Sequence, residues 1–164
     1  MPVDDRYLTV YLQDHLAGAT GGLELARRAR DSHEGSPLGE FLCVLAEEIE
    51  EDRASLEEIM RFLEIGEDRL KVAGAWAGEK LGRLKLNGEI LQSSPLSSII
   101  ELEGLYLGIC GKLSLWRNLQ RALGERLERF DLTCLIERAE RQRDGVEQQR
   151  LAIAAEVLQP ALAD

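Results

Sequence analysis

Residues 66–94, GEDRLKVAGAWAGEKLGRLKLNGEILQSS, separate two pairs of long segments whose apolar residues recur every three or four positions. The segment contains several glycines and an Asn87-Gly88 turn signal, and it carries no sustained apolar stripe. It therefore predicts a connection with short helical pieces, long enough to run the whole length of a helical bundle.

Capping residues mark the helices on either side of this connection. Ser36-Pro37 and Ser94-Pro95 each pair an N-cap hydroxyl with a proline at the first helical position, and Asp131 is a third N-cap. The pattern predicts helices over approximately 5–30, 37–65, 95–123 and 132–159, with a crossover at 66–94.

The lengths of the connections predict the arrangement of these helices. The first and last connections are short, which makes the helices they join antiparallel neighbours. The long middle connection allows the second and third helices to run parallel. We therefore predict an all-α fold in a single domain over 1–164, a four-helix bundle of two antiparallel hairpins joined by a long, partly helical crossover.

Three stretches carry a family resemblance: YLQDHLAGATGGLELARRA (11–29), WAGEKLGRLKLNG (76–88) and SPLSSIIELEGLYLGICGKLSLW (94–116). They resemble uncharacterised bacterial members of the ferritin-like superfamily. The resemblance implies a ferritin-like bundle, whose di-iron centre uses a Glu on each of two helices and a Glu-x-x-His on each of the others. Neither Glu48-Ile-Glu-Glu51 nor Glu137-Arg-Ala-Glu140 is followed by that histidine, so the di-iron motif is degenerate.

A reduced set of candidate metal ligands remains. With the midpoint of each predicted helix taken as zero, His15 and Asp52 fall near the middle of the bundle. Glu48 lies one turn from Asp52 on the same face, and Glu103 lies nearly two turns toward one end. In one interpretation these four side chains hold a divalent transition metal such as iron, manganese or zinc.

In a second interpretation, the side chains at this height form a buried polar layer without a metal. It consists of His15, Asp52, Tyr106 and Arg143, with the guanidinium of Arg143 as the counter-charge of Asp52. A buried carboxylate needs such a partner because removing it unpaired from water costs several kcal/mol.

Gly104, Gly108 and Gly111 share one face of the third predicted helix, at positions i, i+4 and i+7. A glycine inside a helix costs about 1 kcal/mol relative to alanine, so something should offset three of them. The first expectation is a close-packing face, where helix backbones approach each other. The alternative is a groove filled by a ligand, an aromatic side chain or a partner chain.

Composition restricts the partners. The 164 residues include 30 acidic and 20 basic residues, a net charge of −10, which argues against binding to nucleic acid or to anionic membranes. No stretch of 18 apolar residues predicts a membrane span. The acidic N-terminus has no secretory signal, and three cysteines in apolar runs predict buried, reduced thiols, so we expect a cytoplasmic protein.

The motifs of common enzyme classes are absent from the sequence, which contains no GxSxG, P-loop or GxGxxG pattern. We therefore predict a non-catalytic binding or interaction module without a cofactor, whose partner is another protein or a second copy in a homodimer. The alternative is a metal-binding oxidoreductase or a metal-handling stress protein that uses the reduced ligand set.

Overall fold

The computed structural model describes residues 5–65 and 94–159. Over these ranges the chain forms four long helices and no strand: α1 (Asp5–Ser32), α2 (Pro37–Phe62), α3 (Pro95–Leu123) and α4 (Leu132–Val157). The all-helical class and the four helices are confirmed; each begins where it was predicted and ends within a few residues of the predicted end. The predicted crossover, apart from its last residue, lies outside the described residues.

Side-chain caps explain why three of the helices begin where they do. The Ser36 hydroxyl accepts a hydrogen bond from the backbone N–H of Gly39 at 3.1 Å. Ser94 and Asp131 cap α3 and α4 in the same way, at 3.2 and 2.9 Å. Each cap satisfies an N–H group that has no partner within its own helix.

Contacts at the two ends of α1 establish the direction of α3. Near the start of α1, the Tyr11 hydroxyl accepts a hydrogen bond from the Asn118 amide at 2.8 Å. Just beyond its end, His33 Nε2 lies 3.0 Å from the Ser98 hydroxyl. Since α1 is antiparallel to α3, and also to α2 through the short turn at 33–36, α2 and α3 run parallel, as the connection lengths predict.

The apolar core is divided into two clusters, one in each half of the bundle. Asp52, Lys112 and Gln142 lie between them. Burial of each large aliphatic side chain contributes roughly 1.5–3 kcal/mol, so both halves stabilise the fold. The first cluster includes Leu12, Leu16, Leu56, Ile59, Trp116 and Leu119; the second includes Leu23, Ala26, Leu42, Leu45, Leu102 and Val146.

The described helices are amphipathic. None of them has a stretch both long enough and apolar enough to cross a membrane. Cys43 and Cys110 are only partly buried and Cys134 is exposed, so the expectation of three buried thiols is wrong. Each cysteine stands next to a buried residue of its helix, which turns the thiol away from the centre of the apolar stripe.

Candidate functional site

Asp52 of α2 is the centre of a buried polar layer at mid-height in the bundle. Its side chain is 1% exposed. Oδ2 accepts a hydrogen bond from Nζ of Lys112 in α3 at 2.5 Å. Oδ1 lies 2.8 Å from Nε and 2.7 Å from Nη2 of Arg138 in α4. Two cations from two different helices therefore share one buried carboxylate.

The amide of Gln142 in α4 completes this layer. Its oxygen accepts a hydrogen bond from the Lys112 ammonium. Its nitrogen donates to Glu48 Oε2 at 2.9 Å and to Asp52 Oδ2 at 3.2 Å. An amide oxygen facing an ammonium and an amide nitrogen facing two carboxylates leave a single favourable orientation. We call Glu48, Asp52, Lys112, Arg138 and Gln142 the polar layer.

The polar layer occupies the seam between α2 and α4. These two helices approach each other less closely than the other neighbouring helices do. The long side chains of Arg138 and Gln142 span the gap. Any slide of α2 along α4 would leave a buried charge without its partner, which costs several kcal/mol. The layer therefore sets the register of the helices.

Burial and pairing with Asp52 have opposite effects on the pKa values of Lys112 and Arg138. Loss of hydration lowers the pKa of Lys112, and the adjacent Asp52 carboxylate partly reverses that effect. Loss of hydration also opposes the charge of Arg138, but its pair with Asp52 prevails and its pKa is raised. Asp52 is therefore the shared partner of the two partly buried cations, and Arg138 also bonds Glu51 Oε2 at 2.5 Å.

A cavity of about 230 Å³ lies next to the polar layer, between α1, α2 and α3. Asp52 and Lys112 belong to both features, and Asp14, His15 and Arg53 also line the cavity. The remaining walls are mostly apolar or lack side chains altogether. They include Gly18, Ala19, Gly22, Ile49, Leu56, Gly104, Leu105, Gly108, Ile109, Gly111, Leu115 and Trp116.

The glycines of the cavity wall lie along its open side: Gly18 and Gly108 are exposed, and Gly22 and Gly111 are partly buried. A Cβ atom added to Gly18, Gly22, Gly108 or Gly111 would meet nothing within 4 Å. Only at Gly104 does a neighbour come close, where the added atom would lie 3.0 Å from Leu25 Cδ2. No described helix backbone lies within 4 Å of the Cβ position at Gly104, Gly108 or Gly111, since the one close neighbour, at Gly104, is a leucine side chain.

Two hydrogen-bond donors among the cavity-lining residues lack an acceptor in the described part of the chain. Trp116 is 1% exposed, and its indole Nε1–H has no hydrogen-bond partner there. Arg53 Nε is also buried without a partner, although the Nη2 of the same guanidinium bonds Glu57 at 2.9 Å. A buried donor without an acceptor costs about 1–3 kcal/mol, and neither nitrogen has surface that an atom in the cavity could contact.

The structure divides the four candidate metal ligands. Glu48 and Asp52 meet through Gln142, whereas His15 packs edge-on against Tyr11 with ring centroids 4.6 Å apart. Glu103 is half exposed. Over residues 5–65 and 94–159, no three His, Cys, Asp or Glu side chains form a group suited to a metal. Both Asp52 oxygens already face cations, so the set does not fit a metal ion.

The predicted polar layer is right about Asp52 and wrong about its partners. Arg143, the expected counter-charge, bonds its neighbour Asp144 at 2.8 Å instead. His15 and Tyr106 have no hydrogen bond to the layer among those described. The cations are Arg138 and Lys112, which stand one position before the buried residues Ala139 and Leu113.

Gln142 could have been found from the sequence, because it follows Leu135 and Ala139 and precedes Val146 at helical spacing. Arg138 and Lys112 carry a weaker signal. A long cationic side chain beside an apolar stripe can extend toward solvent or toward a buried carboxylate, and the spacing is the same in both cases.

Comparison with known proteins gives no match: no family model, no curated protein and no solved structure matches this chain. The ferritin-like relationship therefore stays a prediction. The cavity and the polar layer are the features from which a function has to be argued.

Proposed function

We propose that the protein is a non-catalytic binding module and that its binding site is the cavity between α1, α2 and α3. The observation that carries this proposal is the open space at Gly18, Gly22, Gly108 and Gly111. Each helical glycine costs about 1 kcal/mol relative to alanine, and no described packing contact offsets that cost at these four positions. These glycines keep side chains out of the mouth of the cavity, where Gly18 and Gly108 are exposed.

The polar layer supports the same proposal by holding the cavity in shape. Asp52 and Lys112 form part of the cavity wall and are held by a 2.5 Å hydrogen bond between α2 and α3. A site whose walls are set before the ligand arrives loses less entropy on binding. The layer is thus a scaffold for the site, and no described group in it is arranged as a nucleophile with its base.

We also propose a ferritin-like architecture for the bundle. The parallel course of α2 and α3 supports it, because a long crossover between two antiparallel hairpins is the arrangement of that superfamily. Here a salt-bridged layer lies where the degenerate motif predicted metal ligands. Fold alone does not assign function, so the cavity remains the basis of the proposal.

The proposal is tested with ethylbenzene as an apolar probe and with leucine variants at two positions of α3. Gly108→Leu places a side chain in the open space, whereas Ser114→Leu places the same side chain on an exposed face outside the cavity. We expect wild type and Ser114→Leu to bind ethylbenzene in ligand-observed NMR, and Gly108→Leu to lose binding at least tenfold.

Equal binding by Gly108→Leu and wild type, or no binding by either, would overturn the proposal. Elemental analysis of protein purified without chelator tests the metal-dependent alternative on the same sample. A stoichiometric transition metal that is lost on Asp52→Asn would favour that alternative over the binding module.

A further inference from the structure

The outward face of α3 is apolar along a stretch where the outward face of a helix usually carries charges. Between Glu103 and Arg117 the only charged residue is Lys112, whose side chain belongs to the buried polar layer. The exposed side of α2 at a similar height carries acids such as Glu47 and Glu50 instead. A single exposed leucine is ordinary, but a continuous uncharged face marks a surface that contacts another molecule.

The residues of this outward face recur at the spacing of a coiled-coil seam. They follow one another at intervals of four, three, four, three and four residues, the 3.5-residue repeat that lets two helices pack along their length. All of them are exposed except one glycine, which is partly buried. We call these residues the outer stripe: Ile100, Gly104, Leu107, Gly111, Ser114 and Asn118.

We propose that the outer stripe is the interface of a homodimer, in which α3 packs antiparallel against α3 of a second copy. The two-fold axis of this dimer passes close to Ile109. The inference goes beyond the proposed binding site and does not depend on it, since it concerns a protein partner. Only Gly104 and Gly111 of the outer stripe also line the cavity.

The outer stripe is complementary to itself, which favours a second copy as the partner. A two-fold axis at Ile109 sets each residue opposite the one that lies equally far from Ile109 in the other copy. Leu107, which is 69% exposed, then faces Gly111, where an added Cβ would meet no described atom within 4 Å. Gly104 faces Ser114, and two small residues allow the helix backbones to approach. Each large side chain at the centre therefore meets a space on the other copy.

The charges beside the outer stripe favour the antiparallel direction. Glu103 and Arg117 are two heptads apart, so they lie on the same flank of the stripe, one on each side of Ile109. In an antiparallel pair the Glu103 carboxylate of each copy faces the Arg117 guanidinium of the other. A parallel pair would set like charges against each other, which is unfavourable.

Both of these charged side chains remain available to a partner. Glu103 lies 3.7 Å from Arg150, and Arg117 lies 2.5 Å from Glu140, but Glu103 and Arg117 are each about half exposed. Their pairs within the copy are on the surface, where an additional opposite charge can be accommodated.

The length of the contact sets the expected strength of the dimer. Leu96 and Ala122 extend the outer stripe by four residues at either end, and both are exposed. The contact would then be about 40 Å long. A single pair of helices makes a small interface, so we expect a reversible dimer that dissociates at micromolar concentration.

Leu107→Glu tests the dimer directly in analytical ultracentrifugation of the full chain from about 5 to 500 µM. The variant places a charge at the centre of the stripe, and we expect the dissociation constant to rise at least tenfold. The matched control is Leu151→Glu, since Leu151 is an exposed leucine of α4, outside the outer stripe. We expect the control to dimerise like wild type. Circular dichroism checks that both variants are folded.

Charge reversal tests the direction of the pair. Glu103→Arg and Arg117→Glu should each weaken the antiparallel dimer about two- to fivefold, because like charges then face each other. The double variant should recover most of the wild-type affinity. In a parallel dimer the single variants would leave the affinity unchanged, and that result would overturn the proposed arrangement.

Three other outcomes would also contradict the inference: a wild-type monomer at every concentration, a dimer that tolerates Leu107→Glu, or equal weakening by Leu151→Glu. None of them bears on the cavity. Binding of ethylbenzene to the monomeric Leu107→Glu variant tests that site separately, so the two proposals can fail independently.

Discussion

Two helix interfaces, the filled seam between α2 and α4 and the open seam between α1 and α3, are packed differently at mid-height in the bundle. Between α2 and α4 the gap is filled: the polar layer spans it, and Phe41 packs against Gly145, where an added Cβ would lie 3.0 Å from the ring. Between α1 and α3 the gap is left open, and Gly108 and Gly111 face no described atom within 4 Å of an added Cβ. The same residue type therefore serves packing on one side and provides space on the other.

Removal of the Asp52 carboxylate, in the filled seam, has the largest expected effect on stability. Asp52→Ala leaves the partly buried cations Lys112 and Arg138 without their shared partner, although Arg138 keeps Glu51, and we expect the unfolding free energy to fall by about 3 kcal/mol in urea denaturation. The matched control is Glu103→Ala, which removes a half-exposed carboxylate 3.7 Å from Arg150 and should change stability by under about 1 kcal/mol. If Asp52→Ala and Glu103→Ala lowered the unfolding free energy by similar amounts, the polar layer would contribute no more to stability than a surface ion pair.

Gly145→Ala tests the packing on the filled side. The new methyl group would lie 3.0 Å from Cε2 and 3.2 Å from Cζ of Phe41, so the ring has to move. We expect a loss of about 1 kcal/mol, since overpacking outweighs the gain in helix propensity. The double variant Gly145→Ala/Phe41→Leu should recover part of that loss. If Gly145→Ala alone were more stable than wild type, the Phe41 ring would be able to move away from the new methyl group at little cost.

Gly108→Ala is the corresponding substitution in the open seam, and we expect it to raise the unfolding free energy rather than lower it. No described atom lies within 4 Å of the added methyl, so the helix-propensity term acts alone and stability should rise by up to about 1 kcal/mol. Gly111→Ala should behave in the same way. A measured loss of stability in both variants would mean that the wall is closely packed, and the contrast between the seams would disappear.

The smallest expected effect is a dependence of stability on pH through His15, which lines the open side. Burial lowers the pKa of His15 below 6.5, and the nearby Asp14 opposes that shift. As pH falls through 6.5, the unfolded chain takes up a proton that the folded chain refuses, so stability decreases. Once the pH is below the folded pKa, no further loss comes from this group.

The difference in unfolding free energy between wild type and His15→Asn, measured from pH 7.5 to pH 5, isolates this contribution. We expect wild type to lose more stability than the variant on acidification. Parallel curves for the two proteins would show that His15 is not desolvated, and that the open seam is wetter at this point than the structure indicates.

Local chemistry explains what the sequence predicted well. Ser36-Pro37, Ser94-Pro95 and Asp131 each determine a helix start through groups within a few residues of each other, so neither partner helices nor packing are needed to find them. The short and long connections then predict antiparallel and parallel neighbours, and the observed parallel course of α2 and α3 agrees. Glu48 and Asp52 stood out as two carboxylates on an otherwise apolar stripe.

The sequence by itself therefore determined four helices, their approximate ends, their directions and a pair of carboxylates, Glu48 and Asp52, on one apolar stripe. Only the tertiary structure decided that Arg138 and Lys112, rather than Arg143, meet Asp52, and that Gly108 borders open space. The physical reason is that successive residues point about 100° apart around a helix, so the partner of a buried charge depends on each helix's rotation. The role of a glycine likewise depends on how near the next helix lies, and the spacing of residues along the sequence does not determine that distance.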